Sequence, residues 1–414
     1  MQSFIKWLEE SFAPKLQKIT SLTWIVVIKD SMLQLLPFIL AGSIFCVGTV
    51  LNDYISWLPS FWTPFGWTMS KIGLMASFLI PFNYCEKKRY RKQRIIAGFT
   101  GMMLFMICVD PQSAAEAGQG HALYGANGMF VAMFTGVIVG LVFGAFAKFS
   151  FFKEDSVIPD FVRQWFDSLL PIMLTITAGW LIVLVAGVDI AGIVQSVFMP
   201  LQSLLTSPFG FVLSAFLYCF IYSMGISSWV LTPVAQPVKL AVIAANLELV
   251  AAGTATVANL GLYTETAMYC CYMWIGGIGC TLSLVLLMCT ACKSHELKAL
   301  GKACLAPAIF NINEPVIFGA IAWNPLLMLP MWIQGLVMSI TTYLFTKVIP
   351  FAPIPRIQFE LWYCPYPIST FISTQGSIAG IIFVILQFLL SAVIWFPFLK
   401  AYDAQKLAAE AAKC

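Results

Sequence analysis

Long apolar runs are the feature that most constrains how this chain can fold. Segments of about 20 mostly apolar residues, enough to cross roughly 30 Å of hydrocarbon as a helix, recur from Met32 onward. Hydrophobic residues make up 60% of the 414 residues and charged residues 10%. A soluble domain cannot bury that much apolar surface. The sequence therefore predicts an all-α polytopic membrane protein.

The apolar runs are regular in the first half of the chain and interrupted in the second. Clear spans are predicted at about 32–51, 65–84, 95–109, 128–149, 168–188, 208–222, 267–291, 326–348 and 379–399. The N-terminal residues Phe4, Ile5, Leu8 and Phe12 share one face of a helix, which indicates an amphipathic helix along the membrane surface.

Prolines interrupt the apolar pieces that lie between the later spans. They are Pro233, Pro237, Pro307, Pro315, Pro353, Pro355, Pro365 and Pro367. Proline breaks helices, and non-helical backbone at membrane depth occurs where it is buried in protein or lines a cavity. These pieces therefore favour a substrate cavity over the alternative of surface hairpins. We predict a scaffold and dimerisation half at 1–195 and a cavity half at 196–414.

Basic residues indicate the orientation of the chain in the membrane. The segment 85–94 (CEKKRYRKQR) holds six basic residues, whereas 52–64 and 110–127 hold no lysine or arginine. The bias of lysine and arginine toward cytoplasmic loops predicts a cytoplasmic N-terminus. The net charge of only +4 is distributed in short clusters between apolar runs, which excludes nucleic acid as a credible partner.

The stretch FNINEPVIFG, residues 310–319, places Glu314 in apolar surroundings. A charged side chain near the bilayer centre costs at least about 2.5 kcal/mol, so it requires a partner or a function. Asn311, Asn313 and Pro315 suit the first turn of a capped helix, which is one interpretation. The other is that amide and carboxylate groups face an uncharged ligand rich in hydroxyl groups, such as a sugar.

The sequence predicts neither a metal site nor a cofactor site. Cys289, Cys292 and His295 are three residues apart but lack a fourth ligand for structural zinc. A phosphate-binding loop of the Gly-x-x-x-x-Gly-Lys-Ser type is also missing, so ATP-driven transport is unsupported.

The segment 274–324, which contains FNINEP, resembles the lactose/cellobiose/chitobiose family of membrane IIC components of the bacterial phosphoenolpyruvate-dependent sugar phosphotransferase system. Segments 28–43, 154–171, 360–376 and 397–403 resemble further blocks of that family in the same order. The resemblance extends over nearly the whole chain.

The resemblance implies a homodimer in the bacterial cell membrane, with about ten transmembrane helices and re-entrant hairpins in each chain. It also implies a cavity that binds a disaccharide or glycoside and presents its 6-hydroxyl to a cytoplasmic IIB component. IIB would receive a phosphoryl group through IIA, carry it on a phosphocysteine and donate it to the sugar. We expect both partners to be separate chains.

The resemblance also assigns roles to individual residues. It implies that Glu314 hydrogen-bonds the sugar near the acceptor hydroxyl, where it would orient that group or accept its proton, with Asn313 beside it. Asn311 is a further polar candidate. Trp362 corresponds to a family tryptophan that would stack on a sugar ring, whereas a place in the interfacial aromatic belt is the alternative.

One segment departs from the family pattern. Family members carry Gly-Ile-His-Gly in the first hairpin, whereas Met224–Pro233 reads MGISSWVLTP and places Ser227 at the histidine position. Ser227, Ser228 and Gln236 are the polar candidates there. Lys239 and Glu248 are expected to pair with each other or to face water.

The missing histidine leaves a second function open. In this second hypothesis, the chain is a facilitator or ion-coupled sugar carrier that kept the fold but lost phosphotransfer. An intramembrane enzyme or a purely structural scaffold is a third hypothesis, but outside the Glu314 region the sequence offers no catalytic pair of polar residues.

Overall fold

A computed structural model describes residues 7–52, 55, 57–109, 122–152 and 159–411. Every regular element in these residues is a helix and none is a strand, so the predicted all-α class is confirmed. Of the predicted N-terminal surface helix, Phe4 and Ile5 lie outside the described residues. Phe12 lies in a short π-helical turn and packs against Phe220 with ring centroids 5.9 Å apart.

The described residues of the first half form a series of helices. They are α1 (Ala13–Thr20), α2 (Thr23–Asn52), α3 (Trp62–Thr68), α4 (Ile72–Lys87), α5 (Arg94–Val109), α6 (Met129–Phe146), α7 (Asp160–Gly179) and α8 (Ile190–Thr206). Helix α4 packs against α2, α5 and α6. The predicted division near residue 195 falls within α8 and stays a prediction.

The helices of the second half vary more in length. They are α9 (Pro208–Ser223), α10 (Thr232–Ala251), α11 (Glu265–Tyr269), α12 (Thr281–Thr290), α13 (His295–Ile309), α14 (Glu314–Val316), α15 (Pro325–Tyr343), α16 (Ile368–Ser373) and α17 (Ile378–Ala411). Helices α7 and α15 continue into π-helical turns.

Six of the described helical segments are long and apolar enough to cross a membrane. Helices α8 and α9 together form a further pair, bent by 80° at the break between them. The protein is therefore an integral membrane protein with broken or re-entrant helical segments. The expected count of about ten transmembrane helices stays a prediction.

The span predicted at 267–291 is wrong. A non-helical segment, 270–280, separates α11 from α12. Gly276, Gly277 and Gly279 have φ angles of 83°, 99° and 89°, and Cys280 has a φ angle of 52°. An α-helix requires φ near −60°, so this glycine-rich backbone cannot continue it despite its hydrophobicity.

The break expected at Pro233 and Pro237 is also absent, since α10 runs through both. Pro233 occupies the first turn, where a missing N–H removes no intrahelical bond. Helix α10 therefore carries residues of the functional region on a continuous scaffold.

The non-helical segment 270–280 is held by the helices around it. The Trp395 indole of α17 donates to the Gly279 carbonyl at 3.2 Å. Ser391, also on α17, lies 2.6 Å from the Ser283 hydroxyl of α12 and accepts from Gln334 Nε2 of α15 at 2.9 Å. The Ser391 hydroxyl also donates to the Cys280 carbonyl at 3.2 Å. These buried contacts hold the irregular loop against α17, which in turn bonds to α12 and α15, so the loop is suitable as a cavity wall.

Candidate functional site

A cavity of about 300 Å³ lies where α9, α10 and the segments around residues 274–278, 311–314 and 362–363 meet. Six of the seven predicted site residues line it: Asn311, Asn313, Glu314, Trp362, Ser228 and Gln236. Ser227 does not line it, and its side chain is exposed. Residues separated by more than 130 positions in the sequence therefore meet at one site.

Glu314 is the first residue of the short helix α14, and Pro315 follows it in the first turn. Its side chain is exposed at the cavity. Tyr222 of α9 also lines the cavity, with its hydroxyl beside the Glu314 carboxylate. Among the described residues no cation pairs with Glu314, so its carboxylate oxygens are available to a ligand.

Asn313 occupies the cap position of α14, as the sequence predicted, but its side chain makes no cap hydrogen bond. Instead Nδ2 donates to the Ile278 carbonyl at 2.9 Å. A Cβ on Gly277 would lie 2.4 Å from Asn313 Cγ, and Gly277 also has a φ of 99°. Glycine at 277 thus allows the loop to approach the amide that positions Glu314.

Asn311 joins three walls of the cavity and has a left-handed backbone, with φ 60°. Its Oδ1 accepts from the Gly276 N–H at 2.9 Å, and its Nδ2 donates to the carbonyls of Trp362 at 2.6 Å and Cys364 at 3.0 Å. Because these bonds use both ends of the amide, the geometry favours a positioning role for Asn311.

Trp362 is only 8% exposed. Its ring lies 5.5 Å from that of Trp229 and 6.4 Å from that of Tyr269, measured between centroids. A ring enclosed in this way does not fit an interfacial belt residue. Together these rings form an aromatic wall of the kind that packs against the apolar face of a ligand.

Sequence reasoning missed a buried ion pair in the cavity wall. Lys239 Nζ lies 2.8 Å from Glu265 Oε2 and donates to the Tyr218 hydroxyl at 3.2 Å. The rings of Tyr218 and Tyr269 flank the ammonium, with centroids 4.8 and 4.9 Å away. The expected alternatives for Lys239, pairing with Glu248 or facing water, are wrong.

The Glu248 side chain instead accepts from Asn127 Nδ2 at 3.1 Å. Lys239 and Glu248 are nine positions apart on α10, more than two helical turns, so their side chains are not neighbours on the helix. An acidic residue close to a lysine in three dimensions but 26 positions away leaves no local signal in the sequence.

Several cavity-lining residues carry donors without a partner in the described part of the chain. They are Gln236 Nε2, Trp274 Nε1 and Trp362 Nε1. A buried donor without a partner is costly, so these groups indicate that the site is completed by a polar ligand or by ordered water.

A segment of the first half supports the cavity from behind. The Glu360 N–H donates to the Ser43 hydroxyl of α2 at 2.8 Å, and Glu360 Oε1 accepts from Gln358 Nε2 at 2.9 Å. The loop that ends in Trp362 is thereby attached to the first long helix of the chain.

Comparison with known proteins identifies the family. A family model described as "Phosphotransferase system, EIIC" matches residues 29–335. The chain belongs to this EIIC family. The resemblance drawn from FNINEP is thus confirmed, and this EIIC protein is a membrane component of the phosphotransferase system.

Similar proteins extend over the full length of this EIIC chain. The cellobiose-specific EIIC component of Geobacillus stearothermophilus is 27% identical, covering 100% of this chain and 97% of the relative. The lactose-specific EIICB component of Lacticaseibacillus casei is 27% identical, covering 98% of this chain and 72% of the relative.

A solved structure has the same fold as this EIIC protein. The crystal structure of the transporter ChbC, the IIC component from the N,N'-diacetylchitobiose-specific phosphotransferase system, has a TM-score of 0.88 and 27% sequence identity. The match covers 98% of this chain and 99% of the ChbC chain.

Proposed function

We propose that this chain is the sugar-translocating subunit of a phosphotransferase system and that its cavity binds a disaccharide or glycoside. The observation that carries this proposal is Glu314, a carboxylate that has no ion-pair partner among the described residues and is exposed at a cavity with an aromatic wall. The volume of about 300 Å³ lies at the lower end of the range for small-molecule sites. Hydroxyl groups of a sugar match a carboxylate acceptor and unpaired indole and amide donors.

Charge in the cavity also favours a neutral ligand. Lys239 and Glu265 neutralise each other in the wall, so Glu314 is the remaining charged residue of the described lining. A second anion would be repelled by its carboxylate, whereas a sugar hydroxyl donates to it. This contact orients the hydroxyl and provides an acceptor for its proton during phosphoryl transfer.

The phosphoryl donor in this proposal is a separate cytoplasmic IIB component, whose phosphocysteine is reloaded through IIA. The sugar presents its 6-hydroxyl near Glu314 and leaves the cavity as a sugar phosphate. The proposal further includes a homodimer in the bacterial cell membrane, a cytoplasmic N-terminus, a dimerisation half at 1–195 and a cavity half at 196–414. The basic segment 85–94 supports this orientation.

The departure at Ser227 bears on sugar preference. Ser228, not Ser227, lines the cavity, and a serine hydroxyl is shorter than an imidazole and stays neutral. We propose that Ser228 and Gln236 contact the sugar in place of the family histidine. The alternative function is that of a facilitator or ion-coupled carrier, and the experiment below distinguishes it from phosphotransfer.

The test is sugar uptake and sugar phosphate formation in membrane vesicles, with and without phosphorylated IIB. The panel contains cellobiose, lactose, diacetylchitobiose and simple β-glycosides. Wild type is compared with Glu314→Gln and with the matched control Glu248→Gln, whose side chain binds Asn127 outside the cavity.

We expect IIB-dependent sugar phosphate for at least one sugar, its loss in Glu314→Gln and its retention in Glu248→Gln. Uptake that is equal with and without IIB and produces no phosphate would favour the facilitator. Absence of uptake for every sugar under both conditions would overturn the proposal.

A further inference from the structure

A buried carboxyl group lies behind the cavity described above. Glu360 belongs to the non-helical residues 349–367, which follow the π-helical turn after α15 and precede α16. Its side chain is 0% exposed. It does not line the cavity, although Trp362, two positions further along the chain, does. The function proposed above therefore gives the Glu360 side chain no role.

The two oxygens of the Glu360 carboxyl group differ in their surroundings. Oε1 accepts from Gln358 Nε2 at 2.9 Å. Oε2 is equally buried but has no hydrogen-bond partner among the described residues. A buried carboxylate is normally paired with a cation or bound to a metal ion, because its negative charge is costly to remove from water. One neutral amide does not meet that requirement.

The charged groups near Glu360 do not balance a second carboxylate. Among the described residues Lys239 attracts a negative charge on Glu360, but this lysine already pairs with Glu265 at 2.8 Å, and Glu265 repels the same charge. Arg356, the nearest basic residue along the chain, is exposed and lines a different cavity. The Cys270 thiol is a further titratable group that faces Glu360, and it supplies no positive charge. One buried cation is therefore shared between two carboxyl groups.

Backbone contacts on two sides hold Glu360 in the interior. Its N–H donates to the Ser43 hydroxyl of α2 at 2.8 Å. The preceding N–H, of Phe359, donates to Thr266 Oγ1 of α11 at 3.1 Å, and Thr266 directly follows Glu265 in the sequence. A movement that carried the carboxyl group to water would break both bonds. Glu360 therefore meets the cost of burial by a change in its charge and not by a change in its position.

We infer that Glu360 is a proton-binding site, which holds a proton at neutral pH so that Lys239, Glu265 and Glu360 together carry no net charge. A buried carboxyl group without a cation of its own binds a proton instead of keeping its charge. The proton comes from water and is placed on Oε2, because Oε1 already accepts from Gln358. In water a glutamate side chain releases this proton near pH 4.3, at its ordinary pKa of about 4.3.

Proton binding at Glu360 stabilises the packing of its loop against α11. An ionised Glu360 would place a second negative charge near Glu265, and the repulsion would oppose the bond between Phe359 and Thr266. From about pH 4.3 upward the folded protein therefore binds one proton that the unfolded chain has released. Stability due to this group falls as the pH rises through that window, by about tenfold in the folding equilibrium per pH unit, until Glu360 also ionises in the folded protein.

The test is infrared difference spectroscopy of the purified full-length protein at neutral pH, comparing wild type with Glu360→Gln. Glutamine has the shape of a protonated glutamate and keeps an acceptor and a donor. The C=O stretching band of a protonated carboxyl group is absent from a carboxylate. We expect this band in wild type and its loss in Glu360→Gln. The matched control is Glu248→Gln, which removes an exposed carboxylate bound to Asn127 and is expected to leave the band unchanged.

A second measurement follows the melting temperature of the three proteins from mildly acidic to neutral pH. We expect Glu360→Gln to gain stability relative to wild type as the pH rises, because glutamine has no proton to release. The difference between Glu248→Gln and wild type is expected to show no such gain. Neither measurement requires sugar or IIB, so failure of the proposed function leaves both results interpretable.

Two results would overturn the inference. One is a difference spectrum at neutral pH in which Glu360→Gln loses only a carboxylate, as Glu248→Gln does. The other is a difference in melting temperature between wild type and Glu360→Gln that stays constant as the pH rises. If Glu360→Gln fails to fold, Glu360→Asp keeps an acid at the same position and is expected to shift the frequency of the band. An unchanged band in that variant would assign the proton to another residue.

Discussion

Lys239 Nζ lies 2.8 Å from Glu265 Oε2 in the wall of the cavity that we propose binds sugar, with side chains only 2% and 4% exposed. Helix α10 supplies the lysine and the first turn of α11 supplies the glutamate. Removing two charges from water is costly unless both are paired and hydrogen-bonded. The ion pair therefore forms only when the short helix α11 packs against α10 in this position. Because its two charges cancel, this part of the cavity wall is neutral.

Replacing Lys239 with methionine tests this role. The substitution leaves the buried Glu265 carboxylate without its cation, and we expect a loss of about 3 to 5 kcal/mol in the free energy of unfolding. Thermal unfolding of the purified protein measures it as a lower melting temperature. The double variant Lys239→Met with Glu265→Gln removes both charges and is expected to recover most of the loss. Equal stability of the single variant and wild type would contradict the assignment.

Gly277→Ala is predicted to disturb Glu314 through Asn313. The added Cβ would lie 2.4 Å from Asn313 Cγ, which displaces the amide and the start of α14. We expect sugar affinity to fall at least about tenfold, since the loss of a single well-placed hydrogen bond to a charged group has this size. Sugar titration by calorimetry measures the change.

Gly253→Ala is the matched control for that prediction. Gly253 also has a positive φ, 68° against 99° at Gly277, but a Cβ there meets no atom within 4 Å. Alanine there is also placed at a positive φ, but without the collision. If both variants bind sugar equally, the collision with Asn313 is not what positions Glu314.

Asn311→Asp is predicted to separate the loops that meet at Asn311. Aspartate tolerates the left-handed backbone and keeps an acceptor for the Gly276 N–H. It has no donor for the Trp362 and Cys364 carbonyls and places a negative charge beside them. We expect a lower melting temperature and sugar affinity weaker by about tenfold or more, because two hydrogen bonds are lost.

Asn259→Asp provides the comparison. Asn259 likewise accepts a backbone N–H, from Thr256 at 2.7 Å, and donates to the Thr254 carbonyl at 2.9 Å, but in an exposed loop. We expect little change in sugar affinity there. A large effect at Asn259 with none at Asn311 would contradict the positioning role.

The sequence predicted site residues best where the type of a side chain and its immediate neighbours in the chain were enough to indicate its role. Glu314 was identifiable because a carboxylate between apolar residues is costly, and Asn313 because it precedes Glu-Pro as a cap would. Even so, the sequence does not reveal that the Asn313 amide binds the Ile278 carbonyl instead of the helix end. That bond depends on a loop 35 positions away.

Other features depend on contacts that periodicity does not encode. The segment 270–280 is hydrophobic enough to resemble a span, and only the φ angles of Gly276, Gly277 and Gly279 make it a loop. Conversely, Pro233 and Pro237 predicted a break that helix α10 does not have. Hydropathy reports burial, which an apolar loop inside the protein shares with a helix in lipid.

The most direct test of the account is sugar binding to the purified protein, measured by calorimetry for wild type and Glu314→Gln with a sugar that the uptake panel selects. Because a hydrogen bond to a charged group is worth about 1.5 to 3 kcal/mol, we predict binding about ten- to hundredfold weaker in the variant at an unchanged melting temperature. Equal affinity of the two proteins would contradict the central claim that Glu314 holds the sugar in this cavity.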